Sequence, residues 1–235
     1  MTRKPLAFVL AFTLLSNVLT PAQDAKPKAD AKPAKKAPSP VLAPITDEPG
    51  LPRVLLIGDS ISMGYTLPVR ALLKGKANVH RIPENGGPTI NALKKLDRWL
   101  GTEKWDVIHF NFGIHDSKFM AEGKQQVPPA DYEKNLRDIV QRLKATGAKL
   151  IWCTTTPIPD GDLIPPRKFE NIAIYNTIAK KVMTENNLAI DDLNTYITPQ
   201  LAKLQNPHDV HYSREGYEYL AKQVASTIES QLPKH

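Results

Sequence analysis

From Arg53 onward the chain alternates short apolar runs with longer segments in which apolar side chains recur at helical spacing. The short runs, at residues 53–57, 78–82, 107–112, 149–154 and 188–190, read as strands. Leu93, Leu96 and Leu100 share one helical face, as do Leu136, Ile139, Val140 and Leu143. Two further amphipathic segments run through Ile172, Tyr175, Ile178 and Val182, and through Tyr217, Leu220, Val224 and Ile228. The second opens on Ser213, a good N-cap residue. Strand and helix in alternation predict a parallel sheet with helices on both faces, a small doubly wound α/β fold. Ligands of such sheets bind beyond the carboxyl ends of the strands, so the chemistry is sought just after each predicted strand.

After the first strand, Gly58, Asp59, Ser60, Ile61 and Ser62 form a sharp turn that puts Ser60 in the first turn of a helix. Backbone N–H groups there favour a developing negative charge. A serine at a helix start is more often a cap, and no G-x-S-x-G pattern is present, so position alone leaves both readings open. After the second strand come Asn85, Gly86, Gly87, Pro88 and Thr89, whose glycines either make a tight turn or bring backbone N–H groups up to a ligand. After the third come Asn111, Gly113, His115 and Asp116, and after the fourth a Pro-rich stretch at 156–168 with Asp160, Asp162 and Arg167, a candidate substrate loop. His211 precedes the last helix with Asp209 two residues before it, a better general base than an isolated histidine. His208, Asp209 and His211 also suit zinc, but no further ligands stand at a persuasive spacing, so neither metal nor cofactor is expected.

Together these segments resemble the blocks of the SGNH hydrolase superfamily, the GDSL esterases, from about Arg53 to the C-terminus. The run GDSIS at 58–62 is similar to the first block, and a late Asp–His pair accompanies it. The resemblance implies a flavodoxin-like three-layer α/β/α sandwich around a five-stranded parallel sheet, and ester hydrolysis through an acyl-Ser60 intermediate. It makes Ser60 the nucleophile and one oxyanion donor through its N–H, and Gly87 a second donor. The family's third block, G-x-N-D, reads Gly113, Ile114, His115, Asp116 here, so His115 stands where the oxyanion asparagine is found. An imidazole N–H donates as an amide does; Asn111 is the alternative donor. The last block, D-x-x-H, has His208 at the acid position, with Asp209 one residue later. Asp209 serves as the triad acid if the loop is not helical; otherwise a Ser–His dyad remains. Asp59 and Asp116 are expected to hold the turns around Ser60 and His115.

Length adds one folded domain to this picture, with room for unfolded extras. Residues 1–22 read as a signal peptide: Arg3 and Lys4, an apolar stretch from Leu6 to Leu15, and a small-residue exit near Ala22. That stretch is shorter than the roughly 20 residues a bilayer span needs, so no integral membrane segment is expected after cleavage. Residues 23–46, rich in Ala, Lys and Pro, read as a flexible linker, and 47–235 as the esterase domain. The leader and linker hold most of the net charge of +7, which leaves the domain nearly balanced and argues against a nucleic-acid partner. The single cysteine, Cys153, forms no internal disulfide and reads as a small core residue. Polar loops at 118–128 and 156–168 suit a hydrated substrate. The expected function is an exported carbohydrate O-acetylesterase, periplasmic or extracellular. The alternatives are a short-chain lipase, lysophospholipase or thioesterase, or an inactive carbohydrate- or envelope-binding protein on the same fold.

Overall fold

The computed structural model describes residues 39–159, 161 and 163–233. The signal-peptide expectation, most of the linker, Asp160 and Asp162 lie outside the described residues. Five strands, β1 (Arg53–Ile57), β2 (Asn78–Arg81), β3 (Val107–Phe110), β4 (Lys149–Cys153) and β5 (Ala189–Asp191), form one sheet in the order β2-β1-β3-β4-β5. All four pairings are parallel, with Val54 level with Val79 on one side and Val107 on the other. This is the flavodoxin-like order, in which the chain reverses direction of travel between β1 and β3 and opens a crevice at their carboxyl ends.

Parallel strands are covered on both faces, which is why β1 reads as an unbroken apolar run rather than an alternation. Val54 and Leu56 face a core shared with α1 (Ser60–Leu72), a short α5 (Leu193–Ile197) and α7 (Arg214–Gln231). Leu55 and Ile57 face the opposite core, built with α2 (Thr89–Leu100), α3 (Pro129–Lys144) and α4 (Phe169–Glu185). Helix starts follow local chemistry: the Asp59 carboxylate caps α1 by accepting from Ile61 N, and Ser213 Oγ caps α7 by accepting from Gly216 N.

The structure departs from the sequence reading in four places. The predicted strands at 78–82, 107–112 and 149–154 stop at Arg81, Phe110 and Cys153, because the chain turns out of the sheet there to build loops. The last strand is Ala189–Asp191 rather than 188–190. Helix α5 and a single-turn α6 (Leu201–Leu204), joined by a 3₁₀ turn, were not expected, since helices this short show no periodic stripe. The folded domain also starts before residue 47: Val41 is buried, and Leu42 and Ile45 pack near Trp99 and Trp105, apolar positions at the end of an otherwise Ala/Lys/Pro-rich run. Among the described residues no helix is long and apolar enough to cross a membrane.

Candidate active site

Ser60 opens α1, so its backbone N–H has no acceptor within the helix. The turn carrying it is clamped from beneath. Arg81, the last residue of β2, is buried and donates from Nη1 to Ser62 Oγ at 2.8 Å and from Nη2 to the carbonyls of Gly58 and Asp59, each at 3.0 Å. Burial lowers the Arg81 pKa to about 10, with Tyr65 and Asp59 opposing the shift, so it stays a cation at neutral pH. The sequence reading missed Arg81. The available signal was a charged residue at the end of a strand buried on both faces, which must find polar partners.

At the other end of the chain, residues 205–213 fold back on themselves. Gln205 and Tyr212 form an antiparallel bridge, Asn206 N donates to His211 O at 2.9 Å, and Asp209 N to Asn206 O at 3.3 Å. His208 takes a positive φ of 55° at the tip. This non-helical turn brings Asp209 Oδ1 within 2.7 Å of His211 Nδ1 and 3.2 Å of its backbone N. His211 Nε2 reaches Ser60 Oγ at 2.8 Å across 151 residues of sequence. Ser60, His211 and Asp209 are thus brought into one hydrogen-bonded line despite the altered spacing. Partial burial pushes the Asp209 pKa up, but the hydrogen bonds from the His211 ring and backbone and from Val210 together outweigh it, and the net shift is downward. The carboxylate therefore stays ionised beside the imidazole.

The oxyanion residues divide. His115 is half-buried and lines the same cleft as Ser60. Burial lowers its pKa; Asp59 opposes this, while Arg167, Lys118 and His211 add to it, so His115 is a neutral imidazole at neutral pH with one N–H to give. Its loop is held open by Gly113, whose φ of +150° and lack of room (an added Cβ would lie 2.4 Å from Thr155 Oγ1) both require glycine. Gly87 has φ of +62°, and its N–H donates to Asn85 Oδ1 at 2.9 Å. Asn111 is a correction: its Nδ2 donates to Cys153 O at 2.7 Å and Thr155 Oγ1 at 3.2 Å, and Asn111 is not among the residues that line the cleft with Ser60. Just beyond β3, it ties the end of that strand to the end of β4 and the loop after it.

Asp116 is buried and accepts from both Thr89 N, at 2.8 Å, and Thr89 Oγ1, at 2.6 Å. It ties the Gly87 loop to the His115 loop, and Asn135 Nδ2 supports Thr89 Oγ1 from α3 at 3.0 Å. Burial raises its pKa to about 7 against the Thr89 hydrogen bonds. Of the predicted substrate-loop residues, Arg167 is described, and it lines the cleft. The cleft holds about 230 Å³ and also takes in Ile114, Leu163, Ile164, His208 and Val210. A larger hollow of about 460 Å³ between α4 and α5 contains none of these residues. Among the described residues, one trio offers metal-ligand atoms within 4.8 Å of one another: His109, Cys153 and Asp191, inside the core, where His109 Nε2 is already hydrogen-bonded to Asp191 Oδ2 at 2.9 Å.

The model of the GDSL-like lipase/acylhydrolase family matches residues 56–219, which span the Ser60 turn, the Gly87 and His115 loops and the His211 turn. No curated protein matches the chain. Among solved structures, a lipase/acylhydrolase from Enterococcus faecalis is similar at 24% identity and a TM-score of 0.67, over 79% of this chain and 100% of that one. An acetyl xylan esterase is similar at 20% identity and a TM-score of 0.65, over 75% of this chain and 99% of that one. An acetylxylan esterase from Geobacillus stearothermophilus stands at 22% identity and a TM-score of 0.63, over 75% and 94%. At these identities the likenesses bear on the fold, and they agree with the five-stranded parallel sandwich described above. The family match over most of the chain, together with that fold, makes this protein a member of the GDSL-like lipase/acylhydrolase family.

Proposed function

We propose that the chain is an exported serine esterase that removes short acyl groups, acetyl foremost, from carbohydrate. The observation that carries this reading is the line from Asp209 through His211 to Ser60, with contacts of 2.7 and 2.8 Å, opening on a cleft of about 230 Å³. In the proposed reaction His211 Nε2 takes the Ser60 proton as Ser60 Oγ attacks the ester carbonyl, and Asp209 stabilises the imidazolium. The carbonyl oxygen becomes an oxyanion facing the Ser60 N–H and the His115 N–H. Gly87 N–H joins them when Asn85 Oδ1 releases it. The imidazolium protonates the departing alcohol, and water, activated by His211, hydrolyses the acyl-Ser60 ester and restores the serine.

The short acyl preference is supported by the small size of the cleft, on which His115, Arg167 and His208 stand beside the apolar Ile114, Leu163, Ile164 and Val210. Acetyl xylan esterases among the structural relatives are in keeping with it. Export is supported by the sequence of residues 1–22 alone. One observation favours the second reading, a short-chain lipase or related acylhydrolase: Ile164, at the cleft mouth, is 99% exposed, an apolar tip without a protein partner to cover it. Acyl-length profiling separates the two. The sugar-esterase reading expects p-nitrophenyl acetate to be turned over faster than the octanoate by the full-chain protein, with acetate released from acetylated polysaccharide. The Ser60→Ala variant should lose roughly 10³-fold or more of this activity. Octanoate preference turns the assignment to the lipase reading, and turnover independent of Ser60 removes the serine-esterase reading altogether.

A further inference from the structure

Among the described residues, Arg167 is the cleft cation that no carboxylate pairs with. It lines the same cleft as Ser60, half-buried, in the loop between β4 and α4. Its Nε donates to Ile114 O at 2.9 Å and its Nη1 to Pro165 O at 3.2 Å, so two backbone carbonyls fix the plane of the guanidinium. A guanidinium has five N–H donors, which leaves three unengaged. Among the described residues Arg167 forms no ion pair, as Arg70 and Arg81 form none, but of these three it alone lines the cleft with Ser60. The two carboxylates whose fields it senses are Asp59 and Asp209. The first caps α1 and the second holds His211, so neither is free to pair with it.

A partly desolvated cation held rigid without a counter-ion is costly unless a ligand supplies the charge. His115 and His208 flank it and add no negative charge. We propose that Arg167 is an anion subsite: the preferred substrate of this cleft is an acyl ester whose alcohol part carries a carboxylate close to the ester, as in an acetylated uronic acid. This rests on the esterase reading and narrows its substrate class. A planar guanidinium edge matches the two oxygens of a carboxylate and orients the sugar as well as binding it. The cleft volume of about 230 Å³ keeps that carboxylate within one sugar residue of the carbonyl under attack by Ser60.

The test compares mono-O-acetylated glucuronic acid with the matching glucuronamide, which has the same shape without the charge, on the full-chain protein and on its Arg167→Gln and Arg167→Lys variants. The expected result is a preference for the acid of about tenfold in kcat/KM, held mainly in KM. R167Q abolishes the preference and R167K keeps part of it. Equal rates on acid and amide in the unaltered protein, or an R167Q loss that falls alike on both, overturn the proposal; the latter leaves Arg167 a tether for the Ile114 carbonyl. Calorimetric binding of glucuronate and glucuronamide to Ser60→Ala, with and without R167Q, reads the same subsite without turnover. Tighter glucuronate binding that vanishes with R167Q supports the proposal, and equal affinities overturn it. Ser60-dependent hydrolysis of p-nitrophenyl acetate, measured alongside, shows separately whether the esterase reading stands.

Discussion

Asp209 stands one residue away from the position the family pattern gives to the acid, and the turn around it explains how the contact survives. A helical approach would point residue 209 away from His211. The bridged turn, with His208 in the left-handed region, instead folds Asp209 Oδ1 onto both the ring and the backbone of His211. The Asp209→Asn variant is expected to lower kcat by roughly 10³-fold or more with little change in KM, because an amide in that place favours the wrong imidazole tautomer. A loss below about tenfold would mean that the protein works as a Ser–His dyad. His115 makes a second residue-scale test. As a neutral donor it should be replaceable in part by asparagine, so His115→Ala is expected to cost about 100-fold in kcat and His115→Asn distinctly less. Equal losses in both would assign the effect to packing of the ring rather than to its N–H.

Loops rather than single residues set the spacing of the proposed oxyanion donors Gly87 and His115. The Asp116–Thr89 contact links the turn after β2 to the turn after β3, and Asn135 extends the link into α3. Its carboxyl group is forced to hold a proton further up the pH scale than in the unfolded chain, to about 7 from 3.8. The contribution of Asp116 to stability is therefore fully present below about pH 3.8 and lost as the pH rises through 7. In Asp116→Asn this dependence disappears. Denaturant unfolding should show the stability of the unaltered protein, relative to D116N, falling between about pH 4 and 7 by something on the order of 4 kcal/mol. A difference that does not change with pH would mean that Asp116 is already ionised in the fold. The same loops were the least legible part of the sequence. Asn111 and Gly87 sit where the family pattern puts donors or their neighbours, yet local hydrogen bonds to Cys153, Thr155 and Asn85 decide what their N–H groups do.

On the scale of the molecule, Ser60 and His211 are joined because α1, which Ser60 opens, and α7, which begins three residues after His211, pack against each other on one face of the sheet. Gly64 lies at this contact: a Cβ there would lie 2.1 Å from the Tyr217 ring. Alanine is the better helix former by about 1 kcal/mol, so a position governed by propensity would gain from Gly64→Ala. Here overpacking should win, with a net destabilisation of about 1–2 kcal/mol and a fall in kcat as the His211 turn is pushed from Ser60. A stabilised G64A with unchanged kcat would refute this account of the helix contact.

The sequence by itself determined the sheet and its large helices, because a parallel sheet buried on both faces demands apolar runs and its covering helices demand an apolar stripe. It also showed, through the resemblance of GDSIS at 58–62 and the late Asp–His pair to the family's blocks, where a serine and a histidine would face each other. Only the tertiary structure decided which neighbours those residues meet. Arg81 beneath the Ser60 turn, Asn111 bonded to Cys153, His211 reaching Ser60 and Arg167 held by the Ile114 carbonyl all depend on contacts between segments far apart in the chain, and such contacts leave no periodicity to read.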